Sequence, residues 1–251
     1  MMKGVFCFIF LILSITELKA AEYRAQYQIS LGGFRLALAD IQLDIQENNY
    51  RISGDMRPDG LVKKLTKEFY AKGRALGELS RKRARPARFD AQWGEKQDRR
   101  RVRLLYDEGK ITSFTATPPY PDNAEIQKRI IEEYGMDTTD LLSGFLQFAN
   151  ETGCDYSLRI FDGRRRFEMK MEPLPKNFAE AENKQSIKEC AARFYPQFGY
   201  KKKSFLFGGK EQIKARISYR KIGDSSLIIP DKIIINTSLG AFVFSAVSFF
   251  R

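Results

Sequence analysis

Few residues in this chain have side chains suited to acid-base or nucleophilic chemistry, and their spacing decides what that chemistry would be. The 251 residues include no histidine, which removes the usual general base of serine and cysteine hydrolases and the commonest metal ligand. Asp137 and Asp140 are the residue types that glycoside hydrolysis uses, but three positions apart at the start of an apolar helical pattern they read as caps for free amides. Ser143 would need a lysine base, and nothing in the sequence places a particular lysine beside it. No catalytic residue, cofactor or metal site is expected, and the chain is read as a non-enzyme.

Anion binding is the chemistry that remains. Arg164, Arg165 and Arg166 follow Asp162-Gly163 and are candidate ligand-binding residues, because guanidinium forks match phosphate and carboxylate. On an extended strand Arg165 shares a face with Phe167, Met169 and Met171, while Arg164 and Arg166 share the other with Glu168 and Lys170. The plainer role for Arg165 is a rim position or a pairing with Asp162. Two larger basic clusters run from Arg81 to Arg88 and from Arg99 to Arg103. Converging in space, they would form a surface for phosphates; apart, they solvate strand edges and discourage sheet-to-sheet association.

Residues 1–20 carry Lys3, an apolar run from Val5 to Ile15 and Leu18-Lys19-Ala20 ahead of Ala21, the pattern of a cleaved signal peptide. The run is far short of the roughly 20 apolar residues that a spanning helix needs, so no integral membrane span is expected after cleavage. Residues 21–251 then form a single domain of the periplasm. The net charge changes only from +12 to +11, because the removed segment holds Lys3, Lys19 and Glu17. A basic exported protein meets envelope lipid, anionic polymers or periplasmic proteins, and nucleic acid is not an expected partner. Cys7 leaves with the signal, so Cys154 and Cys190 have one possible pairing in an oxidising compartment, and a disulfide is predicted. Their wide separation is unlike the C-x-x-C of redox catalysts.

The elements that position these groups are mostly strands. Tyr23, Ala25, Tyr27 and Ile29 alternate on one face before Gly32-Gly33, and Phe34, Leu36 and Leu38 continue through Ile41, Leu43 and Ile45. Further strands are read at 50–53, 69–79, 89–93, 101–106, 111–114, 156–161, 165–171, 187–198, 212–221, 227–236 and 239–250. Asp137-Thr138-Thr139 opens a helix in which Asp140, Leu141, Leu142, Phe145, Leu146 and Phe148-Ala149 form a stripe facing the sheet. Pro118-Pro119-Tyr120-Pro121-Asp122 ends the first half, and the polar connection that follows to Tyr134 reads as a loop. The fold class is mainly β: a highly curved antiparallel sheet, spiral, half-barrel or barrel-like, with one central helix and one disulfide. Phe242, Phe244, Phe249 and Phe250 with Tyr23 and Tyr27 line its apolar face, as a packed core or as a pocket wall. An outer-membrane barrel is disfavoured, since Arg81 to Arg88 and Glu95 to Arg103 break the outward apolar alternation.

The strings CDYSLRIFDGRRRFEMKM from Cys154, CAARFYPQFGY from Cys190 and LIIPDKIIINTSLGAF from Leu227 resemble the exported proteobacterial family catalogued as domain of unknown function 3108. Asp140 and Ser143 also match that family's Asp-x-x-Ser helix start. The resemblance implies an exported β protein and brings no established catalytic residues. By looser likeness in organisation, it points to periplasmic β proteins of envelope integrity or lipid handling. The expected function is non-enzymatic support of the cell envelope by binding an envelope component or protein partner. The alternative is a carrier of a lipid or other apolar molecule in a half-barrel pocket.

Overall fold

The structure is a computed structural model that describes residues 21–65, 69–80, 83–95, 98–120, 123–150, 153–174, 188–200, 213–221 and 228–250. The expected signal peptide, Arg81, Lys82 and the Lys201-Lys202-Lys203 segment fall outside these residues. In chain order the elements are β1 (Ala21–Leu31), β2 (Phe34–Gln46), β3 (Asn49–Pro58), α1 (Gly60–Leu65), β4 (Tyr70–Ser80), β5 (Arg83–Gly94), β6 (Arg99–Asp107) and β7 (Lys110–Thr117). They continue with α2 (Asn123–Glu133), β8 (Thr138–Thr139), α3 (Leu141–Asn150), β9 (Tyr156–Phe161), β10 (Arg166–Pro173), β11 (Lys188–Phe198), β12 (Ile213–Lys221), β13 (Ile228–Thr237) and β14 (Gly240–Phe250).

All the strands join one sheet in the order β7-β6-β5-β4-β3-β2-β1-β14-β13-β12-β11-β10-β9-β8, nearly closed and barrel-like. The chain ends meet mid-sheet, where β1 pairs with β14. Among the described residues only β8 pairs in parallel, with β9. The free edges β7 and β8 approach each other at a Lys110 to Met136 bridge, beside a 3.1 Å bond from the Ile111 amide to the Gly135 carbonyl.

The alternation of β1 holds: Tyr23, Ala25, Tyr27 and Ile29 are buried. That of β2 does not. Ala37, Ala39 and Leu43 face inward, and Phe34, expected in the core, is 67% exposed. A regular strand has period two, so even-numbered Phe34, Leu36 and Leu38 cannot share a face with odd-numbered Ile41 and Leu43. Small residues sit under the largest one: Ala39 lies opposite Tyr27, whose ring stacks on Phe244 at 4.3 Å and meets Phe145 of α3 edge-on at 5.8 Å.

Helix α3 is the expected central helix, contacting β3, β4, β5, β9 and β13 from inside. Leu142, Phe145 and Leu146 pack into the core, while Leu141 is exposed. Of the two further helices, α1 falls where Leu61 to Leu65 could begin a helical turn, and α2 was not expected. The segment read as a polar loop contains α2, whose narrow stripe of Ile126 and Ile130 sits among Glu125, Lys128, Arg129 and Glu132; Ile130 is buried. One apolar pair at i, i+4 is too weak a period to stand out against that charge.

At its seam the sheet overlaps itself. Neighbours along a strand point to opposite faces, and on β9 both faces are covered. Ile160 turns toward α3, whose Gly144 lies against it, while Phe161 meets Phe114 of β7 at 5.7 Å between ring centres. Phe114 belongs to the inner face of β7, so the end of β9 lies within the curl of β6 and β7.

The predicted disulfide is present. Cys154, just before β9, is bonded to Cys190 of β11 with Cα atoms 5.5 Å apart. Pro173, at the end of β10, lies opposite Cys190, so the bond ties β9 to β11 across β10. Closing a loop of this length contributes about 3 to 4 kcal/mol on the chain-entropy account.

Candidate functional site

The arginine run does not form a converging fork. Asp162 accepts the amides of Arg164 and Arg165 at 2.7 and 2.6 Å, and its own amide donates to the Arg165 carbonyl. This tight turn delays the start of β10 to Arg166, so the strand facing expected for Arg165 is overturned: Arg165 is exposed and Arg166 is buried. Each guanidinium meets a different tyrosine ring: Arg164 at Tyr120, Arg165 at Tyr200 and Arg166 at Tyr134, at 4.9, 5.9 and 5.0 Å from the ring centres. Arg164 also donates to the Pro118 carbonyl, and Arg166 donates to the Gln197 side chain. Burial lowers the pKa of Arg166 and raises that of Asp162, the latter against the pull of the amides it accepts.

Two glycines make this packing possible. Gly163 has φ +86, and a Cβ there would fall 2.6 Å from Val102; Gly199 has φ +79, and a Cβ there would fall 2.0 Å from the Arg164 carbonyl oxygen. The Phe-Asp-Gly-Arg-Arg and Phe-Gly-Tyr strings thus form one lock, closed by the Tyr120 hydroxyl, which donates to the Gly163 and Arg164 carbonyls.

Asp140 and Ser143 form a second polar cluster, wholly inside. Asp140 caps α3, accepting the amides of Leu142 and Ser143 at 2.9 Å through one oxygen and the Ser143 hydroxyl at 2.6 Å through the other. With that proton committed, Tyr50 of β3 donates to Ser143 Oγ at 2.6 Å. Asp137, paired with it in the sequence reading of the cap, is instead exposed and 3.7 Å from Arg159. Burial pushes the Asp140 carboxyl up to about 6 against these hydrogen bonds. Burial, followed by the nearby Asp140, raises the pKa of Tyr50 and Tyr106. Asp140 and Ser143 have no exposure and Tyr50 is 3% exposed, so this relay clamps α3 to β3 without presenting a nucleophile to solvent. Among the described residues, no group of three or more Cys, Asp and Glu side chains is gathered to hold a metal.

The accessible arrangement lies on the outer face of β4 to β7. Register places Arg74, Asp90, Arg103 and Thr115 in one cross-strand row and Lys72, Gln92, Arg101 and Thr117 in the next. Together they line a groove of about 540 Å³. Among the described residues Asp90 is its only carboxylate; although burial pushes its pKa up, hydrogen bonds from Arg88 and Arg103 hold it below the usual value. Lys72 pairs with Asp55 at 3.0 Å. Arg74 and Arg101 have no carboxylate partner among the described residues.

Among the described residues the two basic clusters of the sequence meet at Asp90, which Arg88 and Arg103 share, and elsewhere they do not converge. Because β5 and β6 run antiparallel, Arg99 to Arg103 lie beside the end of β5 at Gly94, whereas Arg83 and Arg85 lie at its start. Arg85 and Gln92, the partner of Arg101, are seven residues apart, roughly 23 Å of extended strand. Arg83 and Arg85 instead join Arg159, Glu108 and Asp137 around a cleft of about 690 Å³ at that end of the barrel. Sequence reading found Arg101 and Arg103 of the groove but not Lys72 and Arg74, which lie on a different strand and join them only through register.

Among the described residues, no helix is long and apolar enough to cross a membrane. No curated protein and no solved structure matches the chain. The family described as "Protein of unknown function (DUF3108)" matches residues 26–219, which span the strand register of the groove, the Asp140 cap, the arginine lock and the disulfide. The chain belongs to this family of proteins of unknown function.

Proposed function

We propose that the protein is a non-enzymatic, periplasmic binding protein of the cell envelope, and that the β4 to β7 groove holds an anionic group of an envelope component. The carrying observation is the pair Arg74 and Arg101, without carboxylate partners among the described residues, in a groove also lined by Lys72 and Arg103. Guanidinium groups on β4 and β6, facing each other across β5, suit a phosphate or carboxylate that brings several acceptor oxygens. Carriage of an apolar molecule inside the barrel has less support, because α3 and buried Tyr27, Ile52, Phe89, Leu104 and Leu146 occupy the interior.

The test is calorimetric titration of the oxidised mature protein with soluble dihexanoyl phosphatidylglycerol and, separately, with inorganic phosphate. Binding at low ionic strength that weakens with salt and disappears in R74E/R101E, while R83E/R85E behaves as wild type, is the expected result. Equal affinity in wild type and R74E/R101E would overturn the assignment of the groove. Response to the lipid but not to phosphate identifies a headgroup as the source. Native mass spectrometry with organic extraction of protein isolated from the periplasm tests the carrier alternative, which predicts a lipid at fixed stoichiometry that survives R74E/R101E.

A further inference from the structure

One end of the barrel combines exposed apolar tips with unpaired basic charge. The β1–β2 turn at Gly32-Gly33 and the β13–β14 turn at Ser238-Leu239 lie against each other. The Gly32 amide donates to the Ala241 carbonyl at 3.0 Å, and a Cβ on Gly32 would lie 3.4 Å from the Leu239 carbonyl oxygen. Phe34, opposite Leu31 at the first turn, is 67% exposed, and Leu239 at the second is 58% exposed. Leu239 is held outward by a defined turn: its amide donates to the Thr237 hydroxyl, which donates to the Gly240 carbonyl at 2.7 Å. Two large apolar side chains on adjacent tips form a patch rather than the isolated exposure common on soluble surfaces.

The charge around this patch is positive. Helix α1 packs against the start of β2, where a Cβ on Gly60 would lie 2.7 Å from the Arg35 carbonyl oxygen. It carries Lys63 and Lys64 in its last turn, both exposed and without a carboxylate partner among the described residues. Arg35, next to Phe34, has the single carboxylate Asp59 at 3.5 Å. Apolar side chains flanked by lysines match a bilayer surface whose anionic headgroups take the charge while the acyl boundary takes the rings and methyls.

We infer that this end of the barrel docks on an anionic lipid bilayer, with Phe34 and Leu239 entering the headgroup layer and Lys63 and Lys64 against lipid phosphates. The inference uses residues outside the β4 to β7 groove and stands or falls separately from the function proposed for it. Partitioning is measured by sedimentation with large vesicles of phosphatidylethanolamine and phosphatidylglycerol, with pure phosphatidylcholine vesicles as the uncharged comparison. Wild type should bind the anionic vesicles and bind the uncharged ones at least about tenfold more weakly. F34S/L239S should lose about tenfold or more, the scale expected for withdrawing large apolar side chains from an apolar phase. K63E/K64E should lose the preference for anionic vesicles, and R74E/R101E should retain it. Both residues of the first pair are exposed, so the fold tolerates their change, and circular dichroism verifies it. As an independent readout, F34W should be quenched by lipids brominated near the headgroup while Trp93 in the wild type is not. Undiminished binding by F34S/L239S, failure of wild type to bind anionic vesicles, or absence of quenching in F34W would each overturn the inference.

Discussion

Strands β4 to β7 and the β9–β10 hairpin belong to the same sheet, yet they meet water differently. On β6, Val102, Leu104 and Tyr106 are buried while Arg101, Arg103 and Leu105 are exposed, so one face makes the core and the other is free to carry charge. On the hairpin, Ile160 and Met169 are buried on one face and Phe161 and Arg166 on the other. The difference comes from position in the curl: the end of β9 and the start of β10 lie inside it and are covered twice, while Ser157, Arg159 and Lys170 farther along are exposed. A singly covered strand is free to change its outer side chains and gain a binding surface. A doubly covered strand must satisfy every polar group within the protein, and this is why Arg166 is held by Gln197 and the ring of Tyr134.

That contrast is open to direct attack. The largest effect is expected from F161A, which removes a ring buried on the outward side of β9 and should cost about 3 to 5 kcal/mol in urea denaturation. L105A, on the exposed face of β6, should cost less than about 0.5 kcal/mol; similar losses in the two variants would mean that the seam is not doubly packed. Next comes C154S/C190S, with an expected loss of about 3 to 4 kcal/mol. Hydrogen exchange should then quicken in β9 to β11 and stay unchanged in β4 to β7, and uniform quickening would argue against a local staple.

A smaller, pH-dependent effect belongs to Asp140. Its carboxyl rises from 3.8 to about 6 on folding, so between those values the folded state holds a proton that the unfolded state has released. Its contribution to stability therefore falls as pH rises from about 4 to 6 and is level above that, a change of at most about 3 kcal/mol. D140N, which keeps an acceptor for the α3 amides, should flatten this part of the profile. Asp162, also raised, leaves a residual slope of the same sign. A wild-type stability that climbs between pH 4 and 6 would contradict the burial described for Asp140. A smaller loss again is expected from R103Q. Its ion pair with Asp90 at 2.6 Å is about half exposed on the arginine side, and its loss should cost less than about 1 kcal/mol.

Much of the singly covered region was legible in advance. Tyr23, Ala25, Tyr27 and Ile29 alternate cleanly, Asp107 to Lys110 marks a turn, and the strands between Arg101 and Phe114 appear where the pattern puts them. The hairpin was legible as strands, with the Asp162-Gly163 turn in place and Met169 and Met171 on one buried face, but the burial of Phe161 and Arg166 was not legible. Alternation reports burial only when the two faces differ, and at the hairpin tip they do not. Phe34 was misassigned for a related reason: an apolar residue at a strand end carries no mark of whether it faces the core, and the small Ala37 and Ala39 gave no sign that they sit beneath Tyr27. Helix α2 went unread because Ile126 and Ile130 are too few to outweigh the charges around them.

The sequence by itself determined what depends on residue type and near neighbours. These are the strand-rich class and the capped helix before Leu142, the single pairing open to Cys154 and Cys190, and the excess of arginine and lysine. Those properties follow from backbone preference, side-chain chemistry and counting. Only the tertiary structure decided which charges become neighbours. Antiparallel pairing carried Arg83 and Arg85 to one end of the barrel and Arg101 and Arg103 to the other, then brought Lys72 and Arg74 beside the second pair. It also rolled the tip of the β9–β10 hairpin inside, burying Arg166 and leaving Arg165 in water. Register and curl are set by the summed packing of the whole sheet around α3, and no local stretch of sequence contains that sum.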